Sequence, residues 1–247
     1  MTAEMRVIPL GGIPELTEGD DLAGRLVDSA SQIGGFQTGD VVVVAQKAVS
    51  KVEGNVVLLA DVEPSNEARE LAGDGDPRRM EVILRESRTI VRSRPPLVIA
   101  ETQHGFVCAS AGVDSSNAGQ PDTVVLLPRD PDASARCLRA AISDRSGIDV
   151  AVIVSDSFGR PWRQGTTDVA IGLAGIQPLL DLKGVRDAAG YELHATVIAV
   201  ADELAAAAEL VLGKTAGIPA ALVRGYDASG EGSGRELVMP EERDLFR

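Results

Sequence analysis

Two short runs of branched apolar residues, VVVVA at 41–45 and VAVIVS at 150–155, constrain the chain most. Each is too short for a buried helix and lacks the alternation of a half-exposed strand, so each reads as a buried strand. Further runs of this kind predict strands at 6–8, 56–59, 89–91, 97–100, 106–109, 124–127, 195–200 and 220–223. Helical periodicity fits 20–33, 66–72, 77–86, 131–146 and 201–212. The fourth helix has clear punctuation, with Asp130 to cap it, Pro131 in its first turn and Gly147 at its exit. The fifth ends at Gly213. Several strands follow one another with no helix between them. That predicts an α+β fold, a mixed sheet with packed helices, and not a strict βαβ array. No linker divides residues 1–247, which read as one functional unit. The glycine-rich stretches at 72–76 and 229–234 read as plain surface loops.

With 247 residues, 44% of them hydrophobic, the chain can bury a real core as one large domain or two small ones. No apolar run reaches the roughly 20 residues of a membrane helix. MTAEMRVIPL lacks the basic and apolar regions of a signal peptide. The two cysteines, Cys108 and Cys137, form no CxxC pair, which argues against a disulfide framework and a zinc knuckle. A cytoplasmic location is the expectation. A net charge of −13 predicts repulsion from nucleic acid and from anionic lipid, so neither is expected as a partner. Only four of the 24 Lys and Arg are lysines, Lys47, Lys51, Lys183 and Lys214, so each lysine carries some information.

Several familiar motifs are absent. Gly213-Lys214-Thr215 resembles the end of a Walker A loop, but the glycine required five places earlier is Ala208, and the tripeptide follows a helix. No GxGxxG follows a strand, and neither GxSxG nor HExxH occurs.

Four stretches remain. In AVIVSDSFGRPWRQG a buried strand delivers Asp156 and Ser157 at its end, followed by a turn carrying Arg160, Trp162 and Arg163. Carboxylate beside hydroxyl suits magnesium or manganese, and two guanidiniums can clamp phosphate or carboxylate. An Asx-turn with solvated arginines fits the same residues. AGVDSSN again follows a strand and presents Asp114, a second candidate metal ligand, and Asn117, though an ordinary Asx-turn is the simpler account of the same residues. In AQKAVSKVEG, Lys47 and Lys51 are four apart, so a helical turn would set both on one face, towards phosphates or towards water. PLGGIPEL, at 9–16, is a loop whose backbone can approach a base or ribose, or simply turn the chain. Asp202 and Glu203 in the first turn of the fifth helix, and Lys214 at its exit, suit the helix dipole without any catalytic role. His104 and His194 read as structural.

Taken in order, IPLGGIPEL, AQKAVSKVEG, AGVDSSN, SDSFGRPWRQG and ADELAAAAELVLGKTAGIPAALVRG resemble the coenzyme F-420 γ-glutamyl ligases across nearly the whole chain. The resemblance implies an intertwined homodimer that joins L-glutamate to a phospholactyl deazaflavin, with GTP, a divalent metal (Mg2+ or Mn2+) and K+. It implies Asp114 and Asp156 as metal ligands, with Ser157 beside them where the family often has Thr. It implies nucleotide contacts at Gln46, where some members carry Ser, at Lys51 and Asn117, and along the loop of Ile13, Pro14, Glu15 and Leu16. The reactants are all anionic, so Lys47, Lys51, Arg160, Arg163 and Lys214 are expected to gather with the metal against that repulsion, with Asp156, Arg160 and Arg163 at the reacting groups. Two other readings compete: a serine hydrolase with Ser157 as nucleophile and His104 or His194 as base, and a metal-dependent nucleotide hydrolase or nucleotide-sensing module.

Overall fold

A computed structural model describes residues 4–227 and 229–246. The chain opens with β1 (Arg6–Leu10), α1 (Leu22–Ser31), β2 (Val41–Ala45) and α2 (Gln46–Val52). The middle holds β3 (Val56–Leu58), α3 (Asn66–Ala72), α4 (Pro77–Glu86), β4 (Ser87–Arg94), β5 (Leu97–Thr102), β6 (Val107–Ala109) and β7 (Thr123–Val125). Then follow α5 (Pro131–Ser146), β8 (Ala151–Arg160), β9 (Arg163–Ala174), β10 (Leu180–Asp181), β11 (Val197–Ile198), α6 (Val200–Leu212) and β12 (Ala220–Arg224).

The central sheet runs β1-β12-β2-β8-β9, with β2 and β8 parallel and the other pairs antiparallel. The mixed sheet expected from the sequence is therefore present. Its two interior runs are buried on both faces, and alternation sorts them. Val42, Val44, Val152 and Val154 pack with α1 and α5, whereas Val41, Val43 and Ile153 pack with α6. A third core, built on Met80, Ile83, Val98 and Val124, lies within the stretch from β3 to β7. α5 begins and ends as its sequence directs: Asp130 accepts from Ala133 N, and Gly147 closes it in the left-handed conformation.

Three expectations need correction. The strand expected at 195–200 shrinks to the two residues of β11, because Val200 already starts α6. The strand from 150 does not end at Ser155 but runs on to Arg160 and returns as β9, so Asp156 and Ser157 lie within a long hairpin. Its outer half is largely exposed and polar, which left no apolar signal to read. The 229–234 stretch is no plain loop either. A Cβ at Gly234 would stand 2.6 Å from the Ile171 carbonyl oxygen, so that segment lies tight against β9.

β9 is an edge strand, yet amides along it are occupied. Asp168 N donates to Glu209, Ala170 N to Asp202 and Leu173 N to Asp132, each at 2.8–2.9 Å.

Candidate active site

Strand register explains why distant segments meet. Ala45 pairs with Ser155 across the parallel β2–β8 ladder, so α2 starts beside Asp156. Val44 pairs with Ala220, and Ala45 N bonds the Pro219 carbonyl, which brings the loop after α6 to the same end of the sheet. Leu10 also pairs with Ala220, which delivers the loop after β1. Carboxyl ends of parallel strands are where α/β sheets commonly form ligand sites.

A cleft of about 310 Å³ opens there. Ile13, Pro14, Glu15 and Leu16 line it, together with Gln46, Lys51, Asn117, Asp156 and Ser157. Lys47 and Lys214 line it too, as do Ser155, Asp168 and Glu209, which the sequence reading did not single out. Asp114 is absent from this lining, but its Oδ2 lies 2.6 Å from the Lys47 ammonium. Arg160 and Arg163 stand at the tip of the hairpin and do not line the cleft; Arg160 bonds the Gln164 carbonyl at 3.3 Å. His104 bonds the carbonyls of Pro128 and Arg129, His194 is exposed near Glu192, and neither lines the cleft.

Every ammonium in the cleft has a partner. Lys51 Nζ meets Glu15, Lys47 Nζ meets Asp114 and Ser116, and Lys214 Nζ donates to Ser157 Oγ. Asn117 Nδ2 donates to the Lys214 carbonyl at 3.3 Å, joining two loops across the opening. One donor is unpartnered. Gln46 is 1% exposed; its Oε1 accepts from Ser50 Oγ, while its Nε2 is buried with no partner among the described residues. A buried donor of this kind costs about 1–3 kcal/mol unless a ligand oxygen accepts from it. The cleft therefore suits an oxygen-rich ligand.

The carboxyls differ in kind. Burial pushes Asp156 up to about 7; the Ser157 backbone N–H and the Lys47 charge pull it down, and Asp168 and Asp114 push it further up. Burial also raises Asp114, but hydrogen bonds from Lys47 and Ser116 outweigh it and hold this group below the usual carboxylate value. A carboxylate costly to charge, beside a second carboxylate and a hydroxyl, suits a divalent cation of the magnesium type. Among the described residues no three His, Cys, Asp or Glu side chains are gathered closely enough to hold a metal by themselves. A cation here would draw further oxygens from phosphate and water, as magnesium commonly does.

Asp168 and Glu209 were missed for a clear reason. The acid in TTDVAIG faces Ser157 only once the hairpin partner of β8 is recognised, and Glu209 reads as one more solvated helix acid. The described residues include no helix long and apolar enough to cross a membrane.

Comparison with known proteins shows the family. The family model described as F420-0:Gamma-glutamyl ligase matches residues 12–225, a span that includes the entire cleft lining. A protein of Methanothermobacter thermautotrophicus named coenzyme F420:L-glutamate ligase is 44% identical over 249 residues, covering 98% of each chain. Proteins of the same name from Methanopyrus kandleri and Methanocaldococcus jannaschii are 43% and 45% identical, covering 98% and 86% of each chain. By family match, and by identity over nearly its full length, the chain belongs to the F420-0:gamma-glutamyl ligase family.

Proposed function

We propose that this chain joins L-glutamate to the phospholactyl deazaflavin precursor of coenzyme F420, and that GTP drives the reaction. The observation that carries this reading is the convergence, in one cleft, of an unpartnered buried amide on Gln46, three ammoniums and Asp156, with Asp114 held just outside the lining against Lys47. In the reaction the acceptor carboxylate attacks the γ-phosphorus, a new C–O–P linkage forms and GDP leaves. The glutamate amine then attacks the acyl carbon, phosphate departs and the amine loses a proton. Lys51, Lys47 and Lys214 oppose the charge of the phosphates, and Gln46 Nε2 donates to one of their oxygens. Asn117 and the loop of Ile13, Pro14, Glu15 and Leu16 hold the nucleoside. Asp114, Asp156 and Ser157 would hold a magnesium or manganese ion, whose contribution is to polarise phosphoryl oxygen and offset its charge. Potassium completes the expected ion requirement, and a homodimer is the expected assembly. Arg160 and Arg163 lie at the hairpin tip, outside the cleft lining of their own chain; in this reading they act on the acceptor.

The serine-hydrolase reading loses support here. The Ser157 hydroxyl donates to Asp168, and no histidine lines the cleft. The deciding experiment incubates protein, GTP, magnesium or manganese, L-glutamate and the phospholactyl deazaflavin, and follows the acceptor by mass. Glutamyl addition should keep step with phosphate release, and omitting glutamate should nearly stop that release, because an acyl phosphate in a closed site is shielded from water. GTP consumption without any gain in acceptor mass would replace the ligase with a nucleotide hydrolase.

A further inference from the structure

The reaction as drawn leaves one buried acid of the cleft without a task. Asp168 is 5% exposed and faces Ser157 across the β8–β9 ladder. Its Oδ1 accepts from Ser157 Oγ at 2.5 Å and its Oδ2 from Ser155 Oγ at 2.9 Å. A carboxylate has no proton to give, so both hydroxyls direct theirs at Asp168. Ser157 Oγ is left presenting lone pairs, and Lys214 Nζ donates to it. The Asp168 backbone is fixed as well, since its N–H donates to Glu209 Oε2 at 2.9 Å. Glu209 sits on α6, and its carbonyl accepts from Gly213 N, the residue before Lys214. One carboxylate thus stands at the fixed end of a chain running from β9 through Ser157 to the loop after α6.

We propose that Asp168 is a positioning residue: through the Ser157 hydroxyl it aims the Lys214 ammonium into the cleft, at the phosphates of the nucleotide. This inference rests on the nucleotide reading of the cleft given above. A purely space-filling role would be served equally by the isosteric amide. Asparagine, however, offers one acceptor and an NH2 donor, so one serine must turn its proton away from residue 168. At Ser157 that proton would point at Lys214 and break the relay.

The test uses the full chain with Asp168→Asn, Ser157→Ala, Lys214→Met and the pairwise doubles, in two measurements. The first needs no nucleotide: Lys214 is acetylated with an amine-reactive reagent and quantified by mass spectrometry, with exposed Lys183 as internal control. Labelling of Lys214, but not of Lys183, should be severalfold faster in Asp168→Asn and in Ser157→Ala. The second is calorimetry with MgGTP. Asp168→Asn and Lys214→Met should each weaken binding about tenfold, and the double variant should be no weaker than Lys214→Met alone, because a relay is lost only once. Unchanged Lys214 labelling in both folded variants, or additive losses in the cycle, would overturn the proposal. Should wild type bind no GTP, the nucleotide reading fails, while the labelling still decides whether Asp168 holds Lys214. Should Asp168→Asn not fold, the labelling of Lys214 in Ser157→Ala, read without metal or nucleotide, decides alone: faster labelling supports the relay and unchanged labelling overturns it.

Discussion

The Lys47 ammonium lies 2.6 Å from Asp114 Oδ2, and its charge also pulls down the proton affinity of Asp156. One cation therefore serves two carboxylates that the sequence places 42 residues apart (156 − 114). Asp114→Asn removes one of them and leaves Lys47 without its counter-ion. The pair is partly exposed, so stability should change by less than about 1 kcal/mol. Turnover should be abolished at ordinary magnesium concentrations, since neighbouring groups cannot replace a lost carboxylate ligand. Near-normal activity in that variant would remove Asp114 from the site.

The raised Asp156 predicts an unusual dependence of stability on pH. Its folded value of about 7 lies well above the ordinary aspartate value, so the folded state holds this proton more tightly than the unfolded state does. Stability from this group is present below about pH 4 and is lost as pH rises towards 7. The loss is at most about 4 kcal/mol. Asp156→Asn should abolish turnover, yet with chelator present it should be more stable than wild type at pH 8 and indistinguishable at low pH. Urea midpoints at the two pH values decide this; a wild-type slope in the variant would contradict it.

Lys51 is nearly buried and meets Glu15, the one carboxylate on the loop after β1 that lines the cleft. A phosphate must share or replace that partner. Lys51→Ala should raise KM for GTP about tenfold or more with a smaller change in kcat, because the contact acts alike in ground and transition states. Equal losses in kcat and kcat/KM would instead place Lys51 at the transition state only.

Gly172 tests the packing beneath the site. A Cβ there would stand 2.3 Å from the Pro131 carbonyl oxygen, at the start of α5. Gly172→Ala should destabilise by about 1–3 kcal/mol through overpacking, seen as a lower denaturant midpoint with unchanged m-value. An unchanged midpoint would show that α5 can yield.

Sedimentation should give a dimer that persists on dilution to low micromolar concentration. A stable and active monomer would count against the assembly expected from the family resemblance.

Much of the cleft lining was legible in the sequence because its residues sit directly after apolar strands. Gln46 and Lys51 follow VVVVA, and Asp156 and Ser157 follow AVIV. The helices were legible where caps punctuate them, as Asp130 and Gly147 do for α5. β9 was not. Its inner half, VAIGLA, mixes small and branched apolar residues without a polar alternation, and its outer half is polar, so nothing announced twelve residues of strand. With β9 unseen, Asp168 had no partner, and the arginines at 160 and 163 were placed at a turn beside the metal when they lie at the far tip of a hairpin. The register step beside Ser155, where the ladder passes from Val154–Gly172 to Ser155–Ala170, is likewise invisible without the pairing.

The three carboxylates along β9 have a consequence for how this molecule meets copies of itself. An outer strand with open amides is a template on which any extended peptide can grow. At Asp168, Ala170 and Leu173 the template is already filled by side chains from α5 and α6. Chain-to-chain contact through backbone pairing is thereby steered away from the inner half of β9. A partly melted α6 would reopen it at Asp168 and Ala170, so damage to that helix should show as loss of solubility ahead of global unfolding.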